Sequence, residues 1–188
     1  SIDFVEACKR LSGKADGLPR QIPMAQQEKK KKPKRENLPP PPDDLRPDMR
    51  HNKYKEPVAV YTYHTPDGAP YGYVARYATD EGKKTIRCWT YGKYAGSDAA
   101  AWECTHFTEP RPLYNLHELT QRNTAQVLIV EGEKAADAAR LLFPALVVTT
   151  WPGGAEQVDK ADWSQMRGRR VVLAPDNDEA GIKAMERL

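Results

Sequence analysis

The spacing of apolar and polar residues divides the chain into stretches of different character. At the front, Ile2, Val5, Cys8 and Leu11 recur at helical spacing between Ser1, a residue type suited to capping, and Gly13, a residue type suited to stopping a helix. This predicts one amphipathic helix over residues 1–15. From residue 16 to 57 the periodicity dissolves. Nine of the 16 prolines fall there, with the basic run Lys29 to Arg35 and then four consecutive prolines, Pro39 to Pro42. With few apolar groups to offset the loss of chain entropy, the pattern predicts a disordered, partly extended linker over 16–57.

Residues 58–126 are rich in β-formers. Val58 to Tyr63, Tyr71 to Tyr77 and Lys84 to Thr90 read as three strands, separated by the turn signals Thr65-Pro66-Asp67-Gly68 and Thr79-Asp80-Glu81-Gly82. An antiparallel meander is the simplest arrangement, followed by a short helix over Asn115 to Arg122. Residues 127–188 alternate instead. Val127-Leu128-Ile129-Val130, Leu146 to Thr150 and Val171 to Ala174 are continuous apolar runs, separated and followed by helical patterns at Lys134 to Phe143, Asp162 to Met166 and Asp178 to Leu188. Unbroken apolar strands joined by helices predict an α/β unit, a parallel sheet covered on both faces, with ligands placed beyond the carboxyl ends of its strands.

Charge changes the picture by where it lies. Of 188 residues, 29 are Lys or Arg and 26 are Asp or Glu, a net charge of +3. Residues 1–57 hold 14 basic and 9 acidic residues, residues 58–126 hold 7 of each, and residues 127–188 hold 8 basic and 10 acidic. The positive surplus therefore belongs to the front, where the basic run could add a salt-sensitive contact to nucleic acid. No apolar run approaches the roughly 18–20 residues that span a bilayer, and no secretory signal pattern is present, so a cytoplasmic chain without a membrane partner is expected. Three cysteines are too few and scattered for a disulfide framework. Cys88, Cys104, His106 and His117 fit no structural zinc spacing, which usually includes a closely spaced Cys pair.

The strand ends carry the chemistry. The first α/β strand ends in Glu131-Gly132-Glu133-Lys134, the second in Trp151-Pro152-Gly153-Gly154, and the third in Pro175-Asp176-Asn177-Asp178-Glu179-Ala180-Gly181. Carboxylates converging from neighbouring strand ends suit a hard divalent cation. Each residue also has a structural use: Asp178 can cap the last helix, Glu131 and Glu133 suit a helix start, and the glycines can turn the chain.

The order Val-Glu-Gly-Glu-Lys, a strand followed by Gly-Gly, then Asp-Asn-Asp-Glu-Ala-Gly resembles the Toprim domain shared by DnaG-type primases, type IA and type II topoisomerases, OLD-family nucleases and recombination-mediator proteins. Within that set VEGEKAADAA with APDNDEAG looks most like the primases of phages, plasmids and mobile elements. The resemblance implies a Rossmann-like Toprim sheet over 127–188, truncated at its carboxy end, preceded by the β-rich amino-terminal part of a primase core over 58–126. Residues 1–15 would be the tail of an upstream zinc-binding domain, the only place where zinc is implied. Glu131, Asp176 and Asp178 would be the catalytic and metal residues, holding Mg²⁺ or Mn²⁺. Gly132, Gly153, Gly154 and Gly181 would shape the turns.

Arg76, Lys83, Lys84, Arg87 and Lys134 are the expected phosphate or nucleic-acid contacts. The first four are interleaved with Tyr71, Tyr73, Tyr77, Trp89 and Tyr91 in a basic and aromatic stretch. The implied activity is metal-dependent synthesis of RNA primers from ribonucleoside triphosphates on single-stranded DNA, beside a fused or separate replicative helicase. The same carboxylates would serve strand cleavage in a nuclease or topoisomerase. A non-catalytic nucleic-acid-binding module is the third reading open to the sequence.

Overall fold

The structure, a computed structural model, describes residues 33–188. The predicted opening helix, the basic run as far as Lys32 and the first part of the predicted linker lie outside the described residues. Two sheets form the framework.

The first sheet is antiparallel and contains β1 (Arg35–Asn37), β2 (Ala59–His64), β3 (Pro70–Ala78), β4 (Lys84–Tyr94) and β5 (Ala100–Glu103). Its path runs β1-β4-β3-β2, with β5 also on β4. The predicted meander is its β2-β3-β4 portion. The long β4 makes the larger sheet possible: Lys84 to Thr90 pair with β3, while its far end, to Tyr94, pairs with β1 and β5. At Gly92 the β1 backbone comes so close that a Cβ would run into the carbonyl of Glu36.

The second sheet is parallel, with β6 (Val127–Val130) central between β7 (Val147–Thr149) and β8 (Val171–Ala174). Helix α1 (Leu116–Gln121) precedes β6, α2 (Glu133–Leu142) joins β6 to β7, and α3 (Glu179–Glu186) follows β8. Two short 3-10 helices, Ala155–Lys160 and Trp163–Met166, lie between β7 and β8.

Alternation along the strands places every layer. Tyr61, Tyr63, Val74 and Cys88 share one core with Leu128 and Val130 of β6 and Ala136 and Ala139 of α2. The intervening Val127 and Ile129 pack on the other side of the parallel sheet with Leu113, Leu119, Val158 and Met185. The outer face of the antiparallel sheet presents Tyr73, Ala75 and Tyr77 to Met49 and Tyr54.

Two expectations are corrected. The disordered linker does not extend to residue 57, because the chain from Pro33 onward is laid against the first sheet. The Tyr73 hydroxyl donates to the Leu45 carbonyl at 2.6 Å, the Tyr77 hydroxyl to the Met49 carbonyl at 2.8 Å, and the Trp102 indole to the Asp44 carbonyl at 2.9 Å. Apolar periodicity is blind to this anchoring, which uses main-chain carbonyls to satisfy the polar ends of aromatic side chains. Nor is the parallel sheet covered throughout on both faces. β6 and β7 are buried along their whole length, whereas Val171, Val172 and Leu173 of β8 are 37–41% exposed. No helix among the described residues is long and apolar enough to cross a membrane.

Candidate functional site

Glu131 directly follows β6, and the chain turns at once into α2 through Gly132, whose φ is 80°. The Gly132 amide donates to the Thr150 hydroxyl at 2.9 Å, tying the end of β6 to the end of β7. Next in sequence, Glu133 is only 4% exposed and accepts a hydrogen bond from the Tyr63 hydroxyl at 2.8 Å. Burial raises the carboxyl pKa of Glu133, partly opposed by the hydrogen bonds it accepts.

The acidic turn after β8 arrives beside Glu131. Asp178 sits in extended backbone at the N-cap of α3, where its Oδ1 accepts the Gly181 amide at 2.8 Å. This is the capping use that its position allowed. Gly181 belongs to the first turn of α3 and has no left-handed φ, so it is not a turn glycine as expected. A Cβ there would collide with Glu131 Oε1 and lie 2.9 Å and 3.0 Å from the Asp176 carbonyl oxygen and amide nitrogen. The missing side chain lets the Glu131 carboxyl nest between α3 and the backbone of Asp176.

Glu131 Oε1 is shut off from solvent and has no hydrogen-bond partner. Burial raises the Glu131 pKa, and the negative charges of Asp176 and Asp178 raise it further, against the opposing effect of the Asp176 amide. The three acids therefore lie within electrostatic reach of one another. Among the described residues, no group of three or more His, Cys, Asp or Glu side chains is arranged to hold a metal ion; one oxygen of Asp178 is occupied by its cap. The donor chemistry nonetheless suits a hard divalent cation: carboxylate oxygens only, one buried without a partner, in a locus of concentrated negative charge.

Across from these acids lies the antiparallel sheet. Arg76 is in register with Ile86, and Ala78 with Lys84, so Arg76, Lys84 and Ile86 extend the sheet face that Val74 and Cys88 bury in the core. With Tyr61 they form one wall of a cleft of about 490 Å³, and Glu131, Gly132, Lys134, Ala135, Ala138 and Asp176 are on the other side. Lysine and arginine side chains thus face the carboxylates across an open space.

Other expected contacts lie elsewhere. Lys83, in the β3–β4 turn, pairs with Glu81 at 3.2 Å. Arg87 is on the opposite face of β4, over the Tyr54 ring at 5.2 Å and donating to the Tyr54 hydroxyl at 3.2 Å. Tyr73 and Tyr77 are buried on that same outer face. The basic and aromatic stretch is thus divided between two faces by strand alternation, which a grouping by sequence proximity ignores. Gly153 and Gly154 have φ of 103° and 83°, and the loop is held by the Trp151 indole, which donates to the Gly154 carbonyl at 2.8 Å. Cys88 Sγ lies 3.6 Å from His106 Nδ1, whereas His117 Nδ1 is against the Pro66 carbonyl.

Sequence reasoning missed the Tyr63–Glu133 link and the apolar members of the cleft. The register of β3 and β4 was the available signal for Ile86, since it faces Arg76 directly. No local signal identifies Tyr63 as the partner of a carboxylate 70 residues away.

Residues 52–177 match the family described as a domain of unknown function, DUF6371, and the chain belongs to that family. No curated protein matches. Among solved structures, the chain is similar to one in the bacteriophage T7 lagging-strand DNA polymerase complex with primase domains of two gp4 subunits bound to an RNA/DNA hybrid and dTTP. The identity is 21% and the TM-score 0.44, over 68% of this chain and 57% of that one. It is similar to the DnaG catalytic core with the same identity and TM-score, over 68% of this chain and 37% of that one. For the E. coli primase catalytic core the identity is 19% and the TM-score 0.33, over 68% and 42%. The matches thus span well under two thirds of the structures they fall on.

Proposed function

We propose that this chain is part of a DNA primase core of the Toprim type, which joins ribonucleotides on single-stranded DNA. The observation that carries the reading is the cleft itself: Glu131 and Asp176 with Lys134 on one side, Arg76 and Lys84 on the other. Phosphoryl transfer requires positioned oxygens and neutralised phosphate charge, and these residue types supply both.

In this reading Asp176 and Asp178 would hold Mg²⁺ or Mn²⁺, Asp178 with the carboxylate oxygen that does not cap α3. When bound, a divalent cation neutralises charge on the phosphates and activates the attacking hydroxyl. Arg76, Lys84 and Lys134 bind phosphate oxygens of an incoming ribonucleoside triphosphate and orient its α-phosphate. The 3′-hydroxyl oxygen of the growing strand attacks that phosphorus, the bond to the bridging oxygen breaks, and pyrophosphate leaves. Glu131 either shares the metal or accepts the hydroxyl proton. The implied setting is cytoplasmic replication beside a helicase.

The test is template-directed incorporation of labelled ribonucleotides on single-stranded DNA with Mg²⁺ or Mn²⁺. Wild type should extend, and Asp176→Asn and Glu131→Gln should each abolish extension while the fold is retained. Nicking of labelled DNA without added nucleotides, lost in the same variants, would instead assign the carboxylates to strand cleavage. Full extension by both variants would sink the site assignment.

A further inference from the structure

The cleft has an apolar part that phosphate and metal chemistry leave unused. Ile86, the third residue of β4, is 41% exposed on the same sheet face as the buried Val74 and Cys88 and the cationic Arg76 and Lys84. From the other side α2 contributes the small side chains of Ala135 and Ala138 beside Lys134, so the helix leaves room next to its one long cationic side chain there. Tyr61, nearly buried at 9% exposure, completes this wall. An exposed β-branched residue facing two alanines is a slot shaped for a flat apolar body, and water is a poor occupant for it.

What belongs in the slot is fixed by its neighbours. Arg76 stands directly across the ladder from Ile86, and Lys84 is two positions along the same strand on the same face. That repeat spans about 7 Å, well within the length of one nucleotide. A ligand held here carries several negative charges at one end and a flat, poorly hydrated ring system at the other.

We infer that Ile86, Ala135, Ala138 and Tyr61 form the base-binding wall for the nucleoside triphosphate whose phosphates meet Arg76 and Lys84. The inference rests on the nucleotide-binding reading of the cleft. Three of the four wall residues have no side-chain donor or acceptor, so the wall holds a base through contact area and does not read its edge. Base identity is left to whatever the base pairs with.

The experiment is calorimetric titration in Mg²⁺ with ATP, GTP, CTP, UTP and inorganic tripolyphosphate. Wild type should bind the four nucleotides within about threefold of each other and each about tenfold more tightly than tripolyphosphate, the added affinity coming from apolar burial. Ile86→Ser and Ala138→Trp alter exposed positions. Each should reduce nucleotide affinity to that of tripolyphosphate and leave tripolyphosphate binding unchanged. If wild type binds tripolyphosphate as tightly as nucleotide, or if both variants keep the nucleotide advantage, the wall is overturned and the phosphate-binding reading survives. A strong preference for one base also overturns it. If wild type binds neither tripolyphosphate nor any nucleotide, the phosphate-binding reading falls and the wall with it.

Discussion

The hydroxyl of Tyr63, in the antiparallel sheet, donates to the carboxylate of Glu133 at the first turn of α2, and both side chains are buried. The acids of the cleft and its cations Arg76 and Lys84 are carried by different sheets, and this bond ties the two frameworks together next to it. Tyr63 is enclosed by the rings of Phe107 and Tyr114 at 5.0 Å and 5.3 Å, so its hydroxyl has little freedom to seek another partner.

Tyr63→Phe should therefore leave a buried carboxylate without its donor, at a cost of about 1–3 kcal/mol. Urea denaturation measures it. Tyr94→Phe is the control, because its bond to Glu103 is exposed, and its unfolding midpoint should match wild type. An equal loss in the two variants would deny the buried bond its special weight.

Gly181→Ala should be costly despite the good helix propensity of alanine, because the new methyl meets Glu131 Oε1 and the backbone of Asp176. Overpacking of this kind costs about 1–3 kcal/mol. Mg²⁺ titration should show weakened binding together with the lower stability. A gain in stability would show that the nest does not exist in solution.

Asp178 has two separable roles. Asp178→Ser keeps a side-chain oxygen at the N-cap and should preserve the thermal midpoint, whereas Asp178→Ala should lose about 0.5–2 kcal/mol. Both should weaken Mn²⁺ binding if the carboxylate is also a ligand. Unchanged Mn²⁺ affinity in the serine variant would reduce Asp178 to a cap.

The cations divide by face. Arg76→Ala and Lys84→Ala should each weaken nucleotide binding by about tenfold, in line with the loss of a charge-assisted contact. Lys83→Ala and Arg87→Ala should leave it unchanged, since one is paired with Glu81 and the other with Tyr54. Fluorescence titration with a labelled nucleotide compares all four. Equal losses would mean that the ligand does not lie in the cleft.

Cys88 gives a pH dependence. Burial, assisted by the charge of Glu133, pushes its thiol up to about 12 from 9.0. Between these values the unfolded chain has lost a proton that the folded chain retains, so this group's contribution is intact below pH 9 and declines as pH rises towards 12. The slope is at most about 1.4 kcal/mol per pH unit. Cys88→Ala should flatten the loss of stability measured between pH 9 and 10. An unchanged slope would place the titration elsewhere.

Much of the framework was legible in the sequence because the relevant signals are local. Val127–Val130 and Val171–Ala174 are strands with the bounds that their apolar runs predict, and the acids and glycines fall at the strand ends. What was hidden is long-range. β1 exists because the far half of β4 leaves β3 and offers it an edge, and three residues, Arg35 to Asn37, cannot signal that alone. Sequence proximity groups Lys83 and Arg87 with Arg76 and Lys84, whereas the register assigns Arg87 to the other face and the turn takes Lys83.

The segment from Asp44 to Met49 is gripped by its carbonyls, through Tyr73, Tyr77 and Trp102. A strap held in this way is indifferent to most of its own lettering. Apart from Met49, whose side chain is buried against the sheet, its side chains can be exchanged widely while the grip persists, and the residues that must stay put with Met49 are the three aromatic hands on the sheet.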